Sequence, residues 1–157
     1  MTAMATEQRL HWEDLEVGSV LTLGPVSPSR EDILSFASQF DPQPFHLDEA
    51  AARDSVFGGL CASGWHTCSL AMRLMATGFL HRTTSLGSPG MDHIKWPKPV
   101  FPGDQLTLTH TILNKRASQS RPDVGLLHTQ WDMHNQHGEA VLQLLSWSFF
   151  RRRQPAA

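Results

Sequence analysis

Alternating apolar and polar positions dominate the second half of the chain. Leucine, isoleucine and histidine alternate with threonine from Leu106 to Ile112, and the same period of two recurs from Leu127 to Met133 and from Val141 to Phe149. A period of two is typical of strands that turn one face towards a core. The segment Asn135-Gln136-His137-Gly138 separates the last two runs and predicts a hairpin turn. This half of the chain therefore predicts antiparallel strands.

The first half has helical spacing instead. Ser29 followed by Asp32 predicts a capped helix start, and the apolar stripe behind it continues to Phe40. Asp48 is expected to cap a short helix that ends at Arg53. A longer helix is predicted over Ser63 to Thr77, where apolar residues cover nearly every side. Such a helix is expected to be wrapped by the rest of the fold.

Length and composition are those of one globular domain. The chain has 157 residues, 40% hydrophobic and 18% charged, and its net charge of −2 gives no reason to expect nucleic acid or membrane surfaces as partners. Residues 1–10 and 151–157 are predicted to be terminal tails. No apolar run resembles a signal peptide or a membrane span, so a cytoplasmic location is expected by default.

The two cysteines are predicted to be buried thiols without a disulfide. Cys61 and Cys68 are seven residues apart, which along one helix is about 10 Å and too far for an S–S bond. Nine scattered histidines form no evident metal-ligand set, and the run from Asp132 to His137 crosses the predicted hairpin turn. The chain has no glycine-rich phosphate loop and no dinucleotide fingerprint. Neither a metal nor a nucleotide cofactor is expected.

An acid and a base lie five residues apart in a proline-rich loop, at Asp41 and His46. Pro42 and Pro44 restrict the residues before them, so the loop is expected to be extended and rigid rather than helical. A neutral histidine can accept a proton near pH 7 while a carboxylate orients a water. The alternative is that Asp41 only caps a turn and His46 is a satisfied, partly buried histidine.

The stretch from Phe36 to Asp48, with Phe57-Gly58-Gly59 and Ser63-Gly64 after it, resembles the hydratase signature of MaoC-like proteins, the (R)-specific enoyl-CoA hydratases and related acyl dehydratases. Two further stretches are similar to this family. Residues 12–18 resemble its opening strand region and residues 98–104 resemble a later loop. The resemblance spans about residues 11–150, which is the predicted domain.

This resemblance implies an α+β hot-dog fold, in which an antiparallel sheet wraps around a long central apolar helix, and it implies a homodimer or a higher homo-oligomer. It also implies that Asp41 and His46 are the catalytic pair and that the Gly64 N–H polarises a thioester carbonyl. Gly64 would let the acyl group approach closely because it has no side chain. The acyl chain would lie against Phe45, Trp65 and Met72.

Three positions depart from the family pattern. Gln43 stands where the family usually has Asn, Ser63 where it commonly has His, and Met72 where some members have a helical serine. Gln43 and Ser63 are still expected to contact the substrate or orient the pair. Met72 could equally be simple core packing.

The implied reaction is reversible addition of water to a 2-enoyl thioester of CoA or an acyl carrier protein, with no further cofactor. Lys95 or Lys98 could meet a CoA phosphate. One alternative is a hot-dog thioesterase, but those enzymes commonly place an acid on the central helix, and Ser63 to Thr77 contains no Asp or Glu. A nucleophilic Cys61 or Ser63 is a variant of that alternative. Another is a non-catalytic domain that binds acyl thioesters or stabilises a partner hydratase.

Overall fold

One antiparallel sheet of five strands forms the body of the protein. The computed structural model describes residues 8–153; the rest of the two predicted tails lies outside the described residues. The strands are β1 (Val20–Val26), β2 (Ser85–Lys95), β3 (Leu106–Ala117), β4 (Val124–His134) and β5 (Ala140–Arg151). Their order across the sheet is β1-β3-β4-β5-β2. β1 and β2 are therefore the two edge strands.

Four α-helices lie between β1 and β2 in the chain. They are α1 (Arg30–Phe40), α2 (Pro44–Leu47), α3 (Glu49–Arg53) and α4 (Gly64–Gly78). The predicted caps are confirmed. The Ser29 hydroxyl accepts from the Asp32 N–H at 3.0 Å, and the Asp48 carboxylate accepts from the Ala51 N–H at 2.7 Å. None of the helices within residues 8–153 is both long enough and apolar enough to cross a membrane.

The core lies between α4 and one face of the sheet. Leu70, Ala71 and Met75 on the helix are buried with the inward residues of the central strands, among them Leu108, Leu127, Met133 and Leu142. This is the predicted α+β hot-dog arrangement, with the sheet wrapped around a central helix. The period of two in β3 to β5 follows from this packing because every second side chain turns towards the core.

Three expectations differ from the structure. One side of α4 stays exposed, with Trp65 56% and Met72 45% accessible, so a single chain does not wrap this helix. Residues 12–14 form a 3₁₀ turn rather than a strand. At the other end, β5 continues through Arg151, and Arg153 pairs with Asp14 at 2.6 Å, so residues 151–153 pack onto the domain.

Candidate active site

The loop after α1 brings Asp41 and His46 together. Asp41 ends α1 with φ −152° and ψ 69°, and Gln43 is extended with φ −82° and ψ 144°. Pro44, however, is the first residue of α2, so the prediction that the whole loop is extended was wrong. A proline's fixed φ suits the first helical turn, and its restriction falls on the preceding residue. One short helical turn then carries His46 back towards Asp41.

Both carboxylate oxygens of Asp41 are held by hydrogen bonds. The Ser63 hydroxyl donates to Oδ2 at 2.7 Å, and the Gln43 side-chain amide donates to Oδ1 at 2.7 Å. Gln43 and Ser63 are two of the positions that depart from the family pattern. They hold the carboxylate in place, and Ser63 also caps α4 by accepting from the Trp65 N–H.

These bonds keep Asp41 ionised. Burial by itself raises the pKa of Asp41, but the hydrogen bonds from Ser63 and Gln43 and the nearby His46 outweigh it, so the pKa lies below its usual value. At neutral pH the site therefore contains a fixed carboxylate. Asp41 can orient a donor or stabilise a cation, but it carries no proton of its own to give.

His46 is oriented by a backbone carbonyl. Its Nδ1 lies 2.7 Å from the Cys61 oxygen, and the ring is 5% exposed. Because a carbonyl only accepts, Nδ1 carries the proton, and in the neutral ring Nε2 presents a lone pair. Nε2 lies 3.5 Å from Asp41 Oδ2. Two acceptors at this distance suit a shared donor such as a water molecule.

A cavity of about 620 Å³ opens beside this pair. Its wall includes the aromatic residues Phe45, Phe57, Trp65 and Trp96. Lys98 is the one lysine or arginine among the described residues that line it. The cavity thus combines an apolar wall with an acid, a base and one cation.

Gly64 is needed for a different reason from the one expected. A Cβ at this position would lie 2.6 Å from Trp96 Cε2, and the Trp96 indole N–H donates to the Gly64 carbonyl at 3.0 Å. The missing side chain therefore leaves room for Trp96 rather than for an acyl group. Gly64 remains the first residue of α4 and lines the cavity.

Met72 does not line the cavity that contains Asp41 and His46. It lines a second cavity, farther along α4. By contrast Gln43, Phe45 and Trp65 all line the first cavity, and Ser63 bonds to Asp41, which lines it too.

Sequence reasoning missed Trp96 and the Cys61 carbonyl. Trp96 sits in a proline-rich bend that reads only as a connection, and a backbone acceptor leaves no sequence signal.

Burial raises the pKa of both Cys61 and Cys68, so neither thiol resembles a nucleophile. Cys61 is 1% exposed and lies before α4 rather than on it, and burial raises its pKa to about 11. A thiol with such a pKa stays protonated at neutral pH and attacks poorly. Within residues 8–153, no group of three or more histidine, cysteine, aspartate or glutamate side chains is placed to hold a metal ion.

The profile of the MaoC like domain matches residues 14–130 of the 157. The chain belongs to the MaoC-like dehydratase family. Its predicted hot-dog fold and family resemblance are thereby confirmed. The matched segment contains Asp41, His46 and Ser63, and it includes the whole of α4.

Individual relatives agree with this assignment. The uncharacterized protein YdeM of Bacillus subtilis is 30% identical over 131 residues, which is 83% of this chain and 92% of YdeM. The crystal structure of a MaoC-like dehydratase from Rhodospirillum rubrum is 41% identical, with a TM-score of 0.82, and the match covers 92% of this chain and 99% of that one. Mesaconyl-CoA hydratase of Cereibacter sphaeroides is 36% identical over 63 residues, 40% of this chain and 18% of that enzyme.

Proposed function

We propose that the protein is a hydro-lyase that adds water reversibly to the double bond of a 2-enoyl thioester and so forms a 3-hydroxyacyl thioester. The observation that supports this most strongly is the pair formed by His46 Nε2 and Asp41 Oδ2, 3.5 Å apart at the wall of a largely apolar cavity. Membership of a dehydratase family and the likeness to a CoA-thioester hydratase support the same reaction.

In the proposed mechanism a water molecule lies between His46 Nε2 and Asp41 Oδ2. His46 takes one proton from the water as the hydroxyl oxygen adds to C3 of the enoyl group. Asp41 stays ionised and stabilises the imidazolium that forms. The proton on His46 is then the one that C2 receives, so that one complete water has added across the double bond.

Negative charge builds on the thioester oxygen during this addition. Gly64 is the first residue of α4, a helix of 15 residues, and its N–H lies at the positive end of the helix dipole. We assign this N–H to the thioester oxygen, because a fixed backbone donor stabilises developing charge without reorganisation. Trp96 bonds to the Gly64 carbonyl and thereby positions this first turn.

The substrate is proposed to be an acyl-CoA or an acyl-carrier-protein thioester, with no further cofactor. Phe45 and Trp65 offer apolar contact near the reacting atoms, and Lys98 is placed to meet a phosphate of the carrier. A thioesterase has less support. Residues 64–78 contain no acid, Cys61 is a buried thiol, and the Ser63 hydroxyl is committed to Asp41. A purely binding role would leave the bonds that orient His46 and Asp41 unexplained.

A homodimer is proposed from the edge strand β2. This strand has 11 residues, most of them exposed, and within residues 8–153 its one neighbouring strand is β5. Leu86 and Met91 on β2, and Trp65 and Met72 on α4, are large hydrophobic residues more than a third exposed. A second copy paired along β2 would satisfy the free backbone groups and cover this apolar surface.

The test is product identification by mass spectrometry after incubation with crotonyl-CoA. We expect the thioester to gain the mass of one water. Release of free CoA with crotonate would instead establish a thioesterase. An unchanged thioester that still binds the protein would establish a binding domain, and either of these two results would overturn the proposal.

A further inference from the structure

A second cavity of about 130 Å³ lies between the C-terminal half of α4 and the sheet. Met72 and Met75 line it from the helix. Phe79 and Leu80 follow the helix, and four strands contribute the rest of the wall, including Met91 from β2, His110 from β3 and Ser146 from β5. The cavity is separate from the one that contains Asp41 and His46, and nothing in the proposed mechanism uses it.

The two cavities lie at successive levels of the same pair of elements. At one end, Trp96, just after β2, bonds to the first residue of α4. At the other end of this pair, Met91 of β2 and Met72 of α4 line the second cavity together, and both side chains are partly exposed. From Gly64 to Met72 the helix rises about 12 Å at 1.5 Å per residue. An acyl chain laid between α4 and β2 would therefore lead from the thioester site to the second cavity.

The wall of this cavity is polar as well as apolar. His110 is 3% exposed and packs against the rings of Phe79 and Trp131, and no described residue forms a hydrogen bond with either of its ring nitrogens. The hydroxyls of Thr129 and Ser146 lie 3.3 Å apart at the same wall. The Trp131 side chain also lines this part of the cavity. Buried polar groups without partners call for an explanation.

The polar groups here carry no charge. Burial lowers the pKa of His110 to about 4, so at neutral pH the ring is uncharged, with one N–H donor and one acceptor nitrogen. The wall contains no lysine, arginine, aspartate or glutamate among the described residues. A carboxylate would find no counter-charge in this place, and burying it would be costly. The chemistry suits a neutral group that both donates and accepts hydrogen bonds.

We propose that the second cavity binds the far end of the acyl group and favours acyl chains that carry a hydroxyl group there. This inference rests on the proposed function, because it takes the substrate to be an acyl thioester. Without ligand, a cavity of this size could hold about four waters. An alkyl end would displace them without replacing their hydrogen bonds, whereas a hydroxyl would restore those to His110 and Ser146.

The test measures binding of saturated acyl-CoA thioesters by isothermal titration calorimetry, since these probes cannot be hydrated. A series from hexanoyl-CoA to dodecanoyl-CoA is compared with the matching ω-hydroxyacyl-CoA series. At the chain length that reaches the cavity, we expect the hydroxylated probe to bind roughly three- to tenfold more tightly. His110→Phe and, as an independent variant, Ser146→Ala should each reduce that preference. His137→Phe, on the exposed hairpin turn, is the matched control and should keep it.

The inference is overturned if no chain length shows the preference, which is the result expected of a cavity that holds only water. It is equally overturned if the preference survives in both His110→Phe and Ser146→Ala. Hydration of crotonyl-CoA, whose chain is too short to reach the cavity, is measured in parallel. Turnover of crotonyl-CoA without any preference would reject this inference alone. Absence of both turnover and acyl-CoA binding would reject the proposed function as well.

Discussion

Replacing Ser63 by alanine tests how the site keeps Asp41 ionised. Ser63 is 1% exposed, and its hydroxyl donates to Asp41 Oδ2 at 2.7 Å while it accepts from the Trp65 N–H at 3.3 Å. A hydrogen bond to a charged group contributes about 1.5–3 kcal/mol, and an N-cap about 0.5–2 kcal/mol. We expect Ser63→Ala to lower the free energy of unfolding at neutral pH by about 2–5 kcal/mol.

The pH dependence separates the two contributions. The pKa of Asp41 is lowered in the folded protein, so ionised Asp41 stabilises the fold above its unfolded value of 3.8, and this stabilisation is lost as the pH falls through the folded pKa. The part of the loss that comes from the Asp41 bond should therefore shrink in acid, whereas the loss of the cap remains. In Ser63→Ala the pKa of Asp41 should rise, so the acid limb of the pH–rate profile should move to higher pH.

The assay is urea unfolding of the wild type and Ser63→Ala at neutral pH and at a pH below the folded pKa of Asp41, with carbon-13 NMR of the Asp41 carboxyl as a direct reading of that pKa. Ser69→Ala is the control. Its hydroxyl is exposed on α4 and donates to the Trp65 carbonyl, so we expect a change within about 0.5 kcal/mol. A stability difference that is the same at both pH values, with an unchanged pKa of Asp41, would refute the reasoning.

Three further predictions concern the same site and the exposed strand. Gly64→Ala should destabilise the protein by about 1–3 kcal/mol because its Cβ meets Trp96. Calorimetry should show that most of this loss disappears in a Trp96→Leu background. Equal losses in the wild-type and Trp96→Leu backgrounds would contradict the contact. Cys61→Ala should keep most of the hydration rate, since His46 Nδ1 is bonded to the Cys61 backbone oxygen at 2.7 Å and meets the Cys61 Sγ only at 3.8 Å; complete loss with an intact fold would point to a thiol mechanism. Leu86→Lys on β2 should shift a dimer towards monomer in sedimentation velocity. The control Val17→Lys, in an exposed turn away from β2, should leave the dimer unchanged. A dimer that persists in both variants would place the interface elsewhere.

The strands that alternate regularly could be predicted from the sequence, whereas the edge strands could not. In β3 to β5 every second residue is buried in the core, so the core imposes a period of two. β2 contains Gly87, Pro89 and Gly90 and pairs with β5 through several register shifts, so its side chains keep no period. β1 is interrupted in the same way by Gly24 and Pro25.

The sequence predicted which residues form the candidate site, but not the long-range contacts that hold them in place. Asp41 and His46 stand out because an acid and a base share one short loop. The carbonyl that orients His46 belongs to Cys61, and only the folded chain brings it there. The reason why residue 64 has no side chain was misjudged on similar grounds, since Trp96 is 32 residues away in sequence but occupies the space that a Cβ would need. Contacts of this range depend on the sheet register, which a local pattern does not contain.

The central claim is that His46 and Asp41 activate water for addition to an enoyl thioester. The most direct measurement is the loss of the enoyl ultraviolet absorbance with short and medium trans-2-enoyl-CoA thioesters, for the wild type, Asp41→Asn, His46→Gln and the control His137→Gln. We expect the wild type and the control to hydrate the substrate at similar rates, and each site variant to be slower by about 10²- to 10⁴-fold with its fold intact. Site variants that turn over as fast as the wild type would contradict the claim, as would a wild type that binds acyl-CoA but leaves the enoyl absorbance unchanged at every chain length.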